Sequence, residues 1–404
     1  MTQPVIFDGI RTPFGRHGGA MSRLRVDELA AAPIAEVLRK SNVSGDAIED
    51  VILGDTNQAG EDSRNVARNA ALIAGLPETV GGLTVNRLCG SGLAAVMDAG
   101  RAVRCGEGEI FIAGGVESMS RAPYVMSKAT GPFDRGQEIA DSTIGWRFPN
   151  RDLLQKIGND TMPQTAENVA RRLGISRQDA DEFAAASHLK YERAAGEGFF
   201  AGEIMDLSVP SAKRKAPPEI INADEGPRPG TTVESIAGLK PINGADGVVT
   251  AANASGINDG AAALLVGSEE AGRAHGLVPR ARLVAGAVAG VEPRVMGLGP
   301  VDASRKALAR AGLALADIDV IEINEAFAAQ VLGCLKQMDI AFNDPRVNPN
   351  GGAIAIGHPL GASGARLALT ALRALEAKGG RYALVTMCIG IGQGIAAVLE
   401  RVEK

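Results

Sequence analysis

The sequence predicts an α/β protein of two or three domains, built in part from two similar halves. Short apolar runs alternate with helical patterns, which points to the class. The 404 residues exceed one ordinary core. A weak repeat links the two halves. Apolar residues make up 45% and charged residues 22%, the balance of a globular chain. The net charge of −5 and the lack of a basic stripe argue against a nucleic-acid partner. The 51 glycines exceed the usual ~7%, so backbone must pack close to backbone or to a ligand.

Met1 to Asp8 lacks a basic segment followed by an apolar one, so no secretory signal is expected. The apolar stretch Tyr382 to Leu399 is interrupted by Gly390, Gly392, Gln393 and Gly394, which favours two buried strands over a membrane span. The C-terminus, Val402-Glu403-Lys404, is not a Ser-Lys-Leu peroxisomal address. The expectation is a cytoplasmic protein. Cys89, Cys105, Cys334 and Cys388 form no Cys-x-x-Cys pair, so neither a metal site nor a redox dithiol is expected.

Along the chain, Ala47-Ile48-Glu49-Asp50-Val51-Ile52-Leu53 resembles Asp317-Ile318-Asp319-Val320-Ile321-Glu322-Ile323. Cys89 lies 39 residues after Asp50, and His358 lies 39 after Asp319. Each opens a glycine-rich strand-to-helix turn. Chance between two generic α/β stretches is the alternative to a true repeat. Leu93, Val96, Met97, Gly100 and Val103 follow helical spacing, and Glu109 to Gly115 reads as a buried strand. Segment 124–253 differs: it holds the only tryptophan, Trp146, a basic run at Lys213-Arg214-Lys215, and Pro227, Pro229 and Pro241. It reads as an excursion over the core, with surface helices in 161–200 and a capping-box start at Ser176 to Asp179. The division expected is 1–123 plus 254–274, an insertion over 124–253, and 275–404.

Four segments carry chemistry. In Asn86-Arg87-Leu88-Cys89-Gly90-Ser91-Gly92, a cysteine precedes a helix whose free N–H groups should lower the thiol pKa. A small buried cysteine is the plain alternative. In Gly357-His358-Pro359, a rigid turn holds an imidazole able to deprotonate a thiol or donate to an oxyanion. In Cys388-Ile389-Gly390-Ile391-Gly392, a second thiol with glycines behind it can act as a base at carbon. Asn324, after the apolar run 320–323, is placed either as an N-cap or as a polar group aimed into a site. Cys105 and Cys334 read as packing residues; His17, His188 and His275 read as surface residues.

Together these segments resemble the thiolase family, with further support from Gly114-Gly115-Val116-Glu117-Ser118-Met119-Ser120 and Asn253-Ala254-Ser255-Gly256-Ile257-Asn258-Asp259-Gly260. The resemblance implies two βαβαβαββ half-domains in a five-layer αβαβα arrangement, with a loop domain inserted in the first. It implies a homodimer or homotetramer, coenzyme A as substrate and no permanently bound cofactor. It further implies that Cys89 carries the acyl group, His358 activates it, and Asn324 and His358 serve one oxyanion hole. Cys388 would be the acid/base at carbon, and the N–H groups of Cys89 and Gly390 a second hole. Ser255 would meet the pantetheine, Arg228 and Ser235 the CoA nucleotide, and Phe327 the bound substrate. The motif has glycine where this chain has Ile391. Segments Asn57 to Asp62, Asn65 to Arg68, Asp141 to Phe148 and Met162 to Asn168 look closest to the 3-oxoadipyl-CoA thiolases of aromatic-compound degradation. A substrate of that kind ends in a carboxylate, and Arg147, flanked by Trp146 and Phe148, is the candidate reader; a surface or subunit contact is the alternative. The rivals are a general 3-ketoacyl-CoA or acetoacetyl-CoA thiolase and a non-catalytic acyl-CoA or lipid carrier on the same scaffold.

Overall fold

The computed structural model describes residues 2–213 and 215–403. Met1, Arg214 and Lys404, on which parts of the readings above fall, lie outside them. The first half contributes β1 (Pro4–Arg11), β2 (Gly15–Arg16), α1 (Val26–Ser41), β3 (Asp50–Gly54), α2 (Val66–Ile73), β4 (Gly81–Val85), α3 (Ser91–Cys105) and β5 (Ile110–Ser118). The excursion carries two hairpins and four helices: β6 (Tyr124–Met126), β7 (Ile139–Asp141), α4 (Arg151–Ile157), α5 (Met162–Leu173), α6 (Arg177–Gly196), β8 (Leu207–Val209), β9 (Glu219–Ile221) and α7 (Val233–Ala237). The chain then returns through β10 (Asn258–Ser268) and α8 (Glu269–Ala274). The second half has β11 (Ala281–Gly290), α9 (Gly299–Ala311), β12 (Val320–Ile323), α10 (Ala328–Gln337), α11 (Ala353–Ile356), α12 (Leu360–Lys378), β13 (Tyr382–Ile389) and β14 (Gln393–Arg401).

The sheet order exposes the repeat: β4-β3-β5-β10-β1 in one half and β12-β13-β14-β11 in the other. Parallel pairs sit at equivalent places, β3 with β5 and β12 with β13. A single parallel bridge from Ile321 to Val347 stands where β4 stands in the first half. Within the sheet the halves join through two residue pairs of β1 and β11, Val5 with Arg282 and Ile6 with Ala281.

Three apolar clusters define the layers. Leu29, Ile34 and Ala70 of α1 and α2 cover one face of β3 and β5. Leu93 and Val96 of α3 pack with Leu367 and Leu372 of α12 between the two sets of strands. Val301 of α9 and Val331 and Leu335 of α10 cover the far face of β12 and β14. The order is helix, strand, helix, strand, helix, as expected. The middle layer is close: a Cβ on Gly92 would lie 2.5 Å from the Gly361 carbonyl, and one on Gly364 would lie 2.2 Å from the Leu93 nitrogen. Only glycine permits that approach.

β5 and β10 are direct neighbours in the sheet, so residues 119–257 leave the first half and return to it. Buried Arg11 on β1 anchors this segment, its guanidinium 2.7 Å from both Glu203 and Asp224. Ser176 and Asp179 do form the capping box that opens α6. No helix among the described residues is long and apolar enough to cross a membrane.

Candidate active site

Cys89 lies in the turn between β4 and α3, which the sequence folds unusually. Leu88 adopts φ +47°, the left-handed region that costs a side-chain-bearing residue roughly 1–2 kcal/mol. The Ser91 hydroxyl fixes the turn by accepting from Arg87 N–H at 2.8 Å and donating to the Leu88 carbonyl at 2.6 Å. The thiol retains partial access. Its pKa corrects the expectation from the helix start. Burial pushes it up to about 11, against the opposing pull of the Gly390 and Cys89 N–H groups. The resting group is a thiol and needs a base.

His358 occupies the matching turn before α12. Its backbone N–H donates to Asn258 Oδ1 at 2.9 Å, and Asn258 Nδ2 donates to the Gly15 carbonyl at 2.8 Å. The imidazole Nδ1 is 2.6 Å from Ser363 Oγ, whose own proton goes to the Pro359 carbonyl at 2.8 Å. Since that hydroxyl spends its proton on Pro359, it accepts from His358, which places the imidazole proton on Nδ1. Nε2 is then a lone-pair acceptor, and Asn324 Nδ2 lies 3.3 Å from it. Burial, helped by the positive charge of Arg366, pushes His358 down to about 3. The ring is therefore neutral at pH 7, with its basic nitrogen open to a proton.

Asn324 is not an N-cap: α10 begins at Ala328 and Phe327 occupies the cap position. Asn324 Oδ1 is buried without a partner. Cys388, at the end of β13, is buried in an apolar cluster with Met296, Ala326 and Phe327. Burial raises its pKa well above the ordinary thiol value, and the neighbouring Cys89 raises it further. A Cβ on Gly390 would meet the Leu88 and Met162 side chains, so the Gly390 N–H beside Cys89 has apolar neighbours. The structure thus sets Cys388 and the Gly390 N–H beside Cys89, and pairs Asn324 with His358. One thiol, one neutral base and a second buried thiol can take up and release protons around a bound thioester.

A cavity of about 310 Å³ lies next to the His358 turn, lined in part by Gly357 and Asn258. Arg16, His17, His188 and Arg228 also line it. Ser255 is tied beside it, its N–H donating to the Ala326 carbonyl at 3.0 Å. Ser235 lies on exposed α7, its hydroxyl engaged by the Thr232 carbonyl.

Several readings of the sequence need correcting. Arg147 does not present a free fork: it donates to the carbonyls of Asn57 and Ser142, each at 3.1 Å, and so ties the excursion to loop 55–65. His188 is buried rather than on the surface, and its Nδ1 accepts from Arg228 N–H at 3.3 Å. Burial pushes it down to about 4. A signal was available, since Ala180, Ala184, Ser187, His188 and Tyr191 share one helical face. Cys105 is exposed, not packed. Ser363 and Asn258 were overlooked, although Ser363 lies one turn beyond the histidine on the same helix start.

Comparison with known proteins agrees with this geometry. The family model described as the thiolase N-terminal domain matches residues 4–270, and the thiolase C-terminal domain matches 277–401. The chain is 58% identical over 403 residues to a beta-ketoadipyl-CoA thiolase of Escherichia coli, covering all of both chains. It is 56% identical over 398 residues to one of Pseudomonas aeruginosa, covering 98% of each. Among solved structures, the acetyl-CoA acetyltransferase of Bacillus anthracis superposes with a TM-score of 0.91 at 38% identity, over 100% of this chain and 99% of that one. With both of its domains matched along nearly its whole length, the chain belongs to the thiolase family and is an acyltransferase.

Proposed function

We propose that the protein cleaves 3-oxoadipyl-CoA with CoA, giving succinyl-CoA and acetyl-CoA. Full-length identity of 58% to a protein with the printed name beta-ketoadipyl-CoA thiolase carries the substrate assignment. In the first step, His358 Nε2 takes the proton of Cys89, and the sulfur attacks the C3 carbonyl of the substrate. The C2–C3 bond breaks, and Cys388 protonates C2 to release acetyl-CoA. The succinyl group remains as a thioester on Cys89. The CoA thiol, giving its proton to the Cys388 thiolate, then attacks that thioester and leaves as succinyl-CoA. The proton on His358 returns to Cys89. Nε2–H of His358, with Asn324, stabilises one developing oxyanion, and the N–H groups of Cys89 and Gly390 stabilise the other.

Segment 124–253 acts as the inserted loop domain between residues 1–123 plus 254–274 and residues 275–404. It brings Arg228 to the mouth of the cavity; Ser255, Phe327 and, at greater distance, Ser235 complete the contacts to CoA. CoA is consumed as substrate, with no permanent cofactor. Exposed Leu72, Ile73 and Leu83 at and beside edge strand β4, and Tyr124, Met126 and Phe133 on the excursion, support a homo-oligomer. Initial rates of CoA-dependent cleavage of 3-oxoadipyl-CoA, acetoacetyl-CoA and a long-chain 3-ketoacyl-CoA test the reading. The highest kcat/KM should be on 3-oxoadipyl-CoA; preference for either of the others would overturn it.

A further inference from the structure

Asn324 and His358 meet through one side-chain contact, 3.3 Å from the amide to Nε2, which is long for a hydrogen bond. The other end of that amide, Asn324 Oδ1, is buried without a partner. The amide therefore does not hold itself in place, and its position follows from the backbone that carries it. The next residue, Glu325, is 1% exposed, and its carboxyl is met by three neutral donors. Oε1 accepts from Asn348 Nδ2 at 2.7 Å. Oε2 accepts from Ser187 Oγ at 2.7 Å and from Ile354 N–H at 3.1 Å.

Each donor comes from a different segment. Ile354 belongs to α11, four residues before His358. Asn348 takes a left-handed φ of +41° and bridges back to β12, accepting from Ile323 N–H and donating to the Ile323 carbonyl, each at 2.9 Å. Ser187 sits on α6 of the excursion, and its hydroxyl also accepts from Gly352 N–H at 3.1 Å. A Cβ on Gly352 would collide with the Glu325 carboxyl, so only glycine lets that carboxyl lie against the backbone. The result is a staple between the segment bearing Asn324 and the segment bearing His358. A buried polar network with its donors met rigidifies what it joins. His358 has its own locks, Asn258 on its N–H and Ser363 on its ring, so the staple acts chiefly on Asn324.

We infer that Glu325 is a positioning residue that sets the Asn324 amide against His358, and that Ser187 extends this hold to the excursion. The inference rests on the reading of Asn324 and His358 as one oxyanion hole. In the proposed mechanism the N–H groups of Cys89 and Gly390 serve the acyl thioester, so the enolate oxygen of acetyl-CoA falls to Asn324 and His358. A misplacement of about 1 Å can cost about 10²-fold in such a step. Glutamine at 325 keeps the shape of the side chain, but whichever way its amide turns, an N–H faces a donor.

Exchange of the α-protons of acetyl-CoA with deuterium from the solvent, read by mass spectrometry, tests it. Rates are expressed per Cys89 able to take an acetyl group, so loss of folded protein drops out. Asn324→Ala should slow exchange by about 10²–10³-fold, as loss of an oxyanion-hole donor does. Glu325→Gln should slow it by about 10–100-fold. Added to Asn324→Ala, it should cost less than about threefold more, because an absent amide cannot be misplaced. Ser187→Ala leaves Glu325 intact and should slow exchange by about 2–10-fold, the loss of one neutral hydrogen bond, again only where Asn324 is present. Wild-type exchange in Glu325→Gln, or in Ser187→Ala should the first variant not fold, overturns the proposal. So do losses that multiply with that of Asn324→Ala. Wild-type exchange in Asn324→Ala overturns the oxyanion-hole reading and the inference with it, whereas a slow Asn324→Ala beside either earlier outcome sinks the inference alone.

Discussion

The turns holding Cys89 and His358 occupy the same place in two similar halves, yet they are built oppositely. The Cys89 turn is partly open, bent through a left-handed Leu88, and fixed by Ser91 and by Asn86, which accepts from Leu88 N–H at 2.9 Å and donates to the Thr56 carbonyl at 3.1 Å. The His358 turn is sealed, held from the other half by Asn258, and locked at the ring by Ser363. The repeat thus supplies two equivalent platforms, and the side chains divide the labour. In the proposed mechanism, one presents the group that meets substrates, and the other presents a group whose protonation state must not wander.

The comparison breaks first at the open turn. Cys89→Ala should lower thiolysis by about 10⁴-fold or more, as removal of a nucleophile acting in a unit does. Brief incubation with acyl-CoA should leave an adduct on the wild-type Cys89 peptide and none on the variant. An adduct only on Cys105, Cys334 or Cys388 would sink the assignment. Cys388→Ala should cost roughly 10²–10⁴-fold in turnover. It should still become acylated at Cys89 while failing to exchange the α-protons of acetyl-CoA with solvent, and normal exchange would remove Cys388 from its role.

At the sealed turn, Ser363→Ala should leave a buried Nδ1–H without an acceptor, at about 1–3 kcal/mol. Acylation should slow by about tenfold, and an unchanged rate would mean that the tautomer is set otherwise. Stability carries the sign of the same burial. Unfolded His358 gains a proton as pH falls through 6.5, whereas folded His358 resists until about 3. The unfolded state binds more protons in that window, so the contribution of His358 to stability should shrink on acidification from pH 6.5 towards 3. The difference in urea unfolding midpoint between wild type and His358→Asn should therefore move against the wild type from pH 7 to pH 5; His188 acts in the same direction, and the raised carboxyls of Glu117 and Glu322 act in the opposite one. The smallest effect belongs to Ile391, which sits at φ +64°. Ile391→Gly relieves left-handed strain of roughly 1–2 kcal/mol but adds unfolded-chain freedom of roughly 0.5–1 kcal/mol. A net gain below about 1 kcal/mol in urea unfolding is expected.

The equal spacing from Asp50 to Cys89 and from Asp319 to His358 made the fold plan legible, because periodicity survives in one dimension. The glycine-flanked reactive residues stood out for the same reason. What stayed hidden depends on contacts across the fold. The burial of the Cys89 sulfur reverses the pKa expected of a cysteine at a helix start. Asn324 reads as a cap until Phe327 takes that position, and Arg147 reads as a free cation until the carbonyls of Asn57 and Ser142 reach it. Glu325 gives no local sign that donors from three segments will close around it.

The glycine contacts between α3 and α12 carry a consequence for redesign. A Cβ at Gly361 would lie 2.1 Å from the Val116 carbonyl, and one at Gly115 would lie 2.0 Å from the Gly361 carbonyl. Backbone, unlike a side chain, has no rotamer to yield. The spacing between the Cys89 and His358 turns is therefore fixed by bond geometry rather than by adjustable packing. Libraries that aim to change the accepted acyl group belong in segment 124–253, where turns can be exchanged without touching that gauge. Randomising the glycines of the middle layer would mostly return unfolded chains.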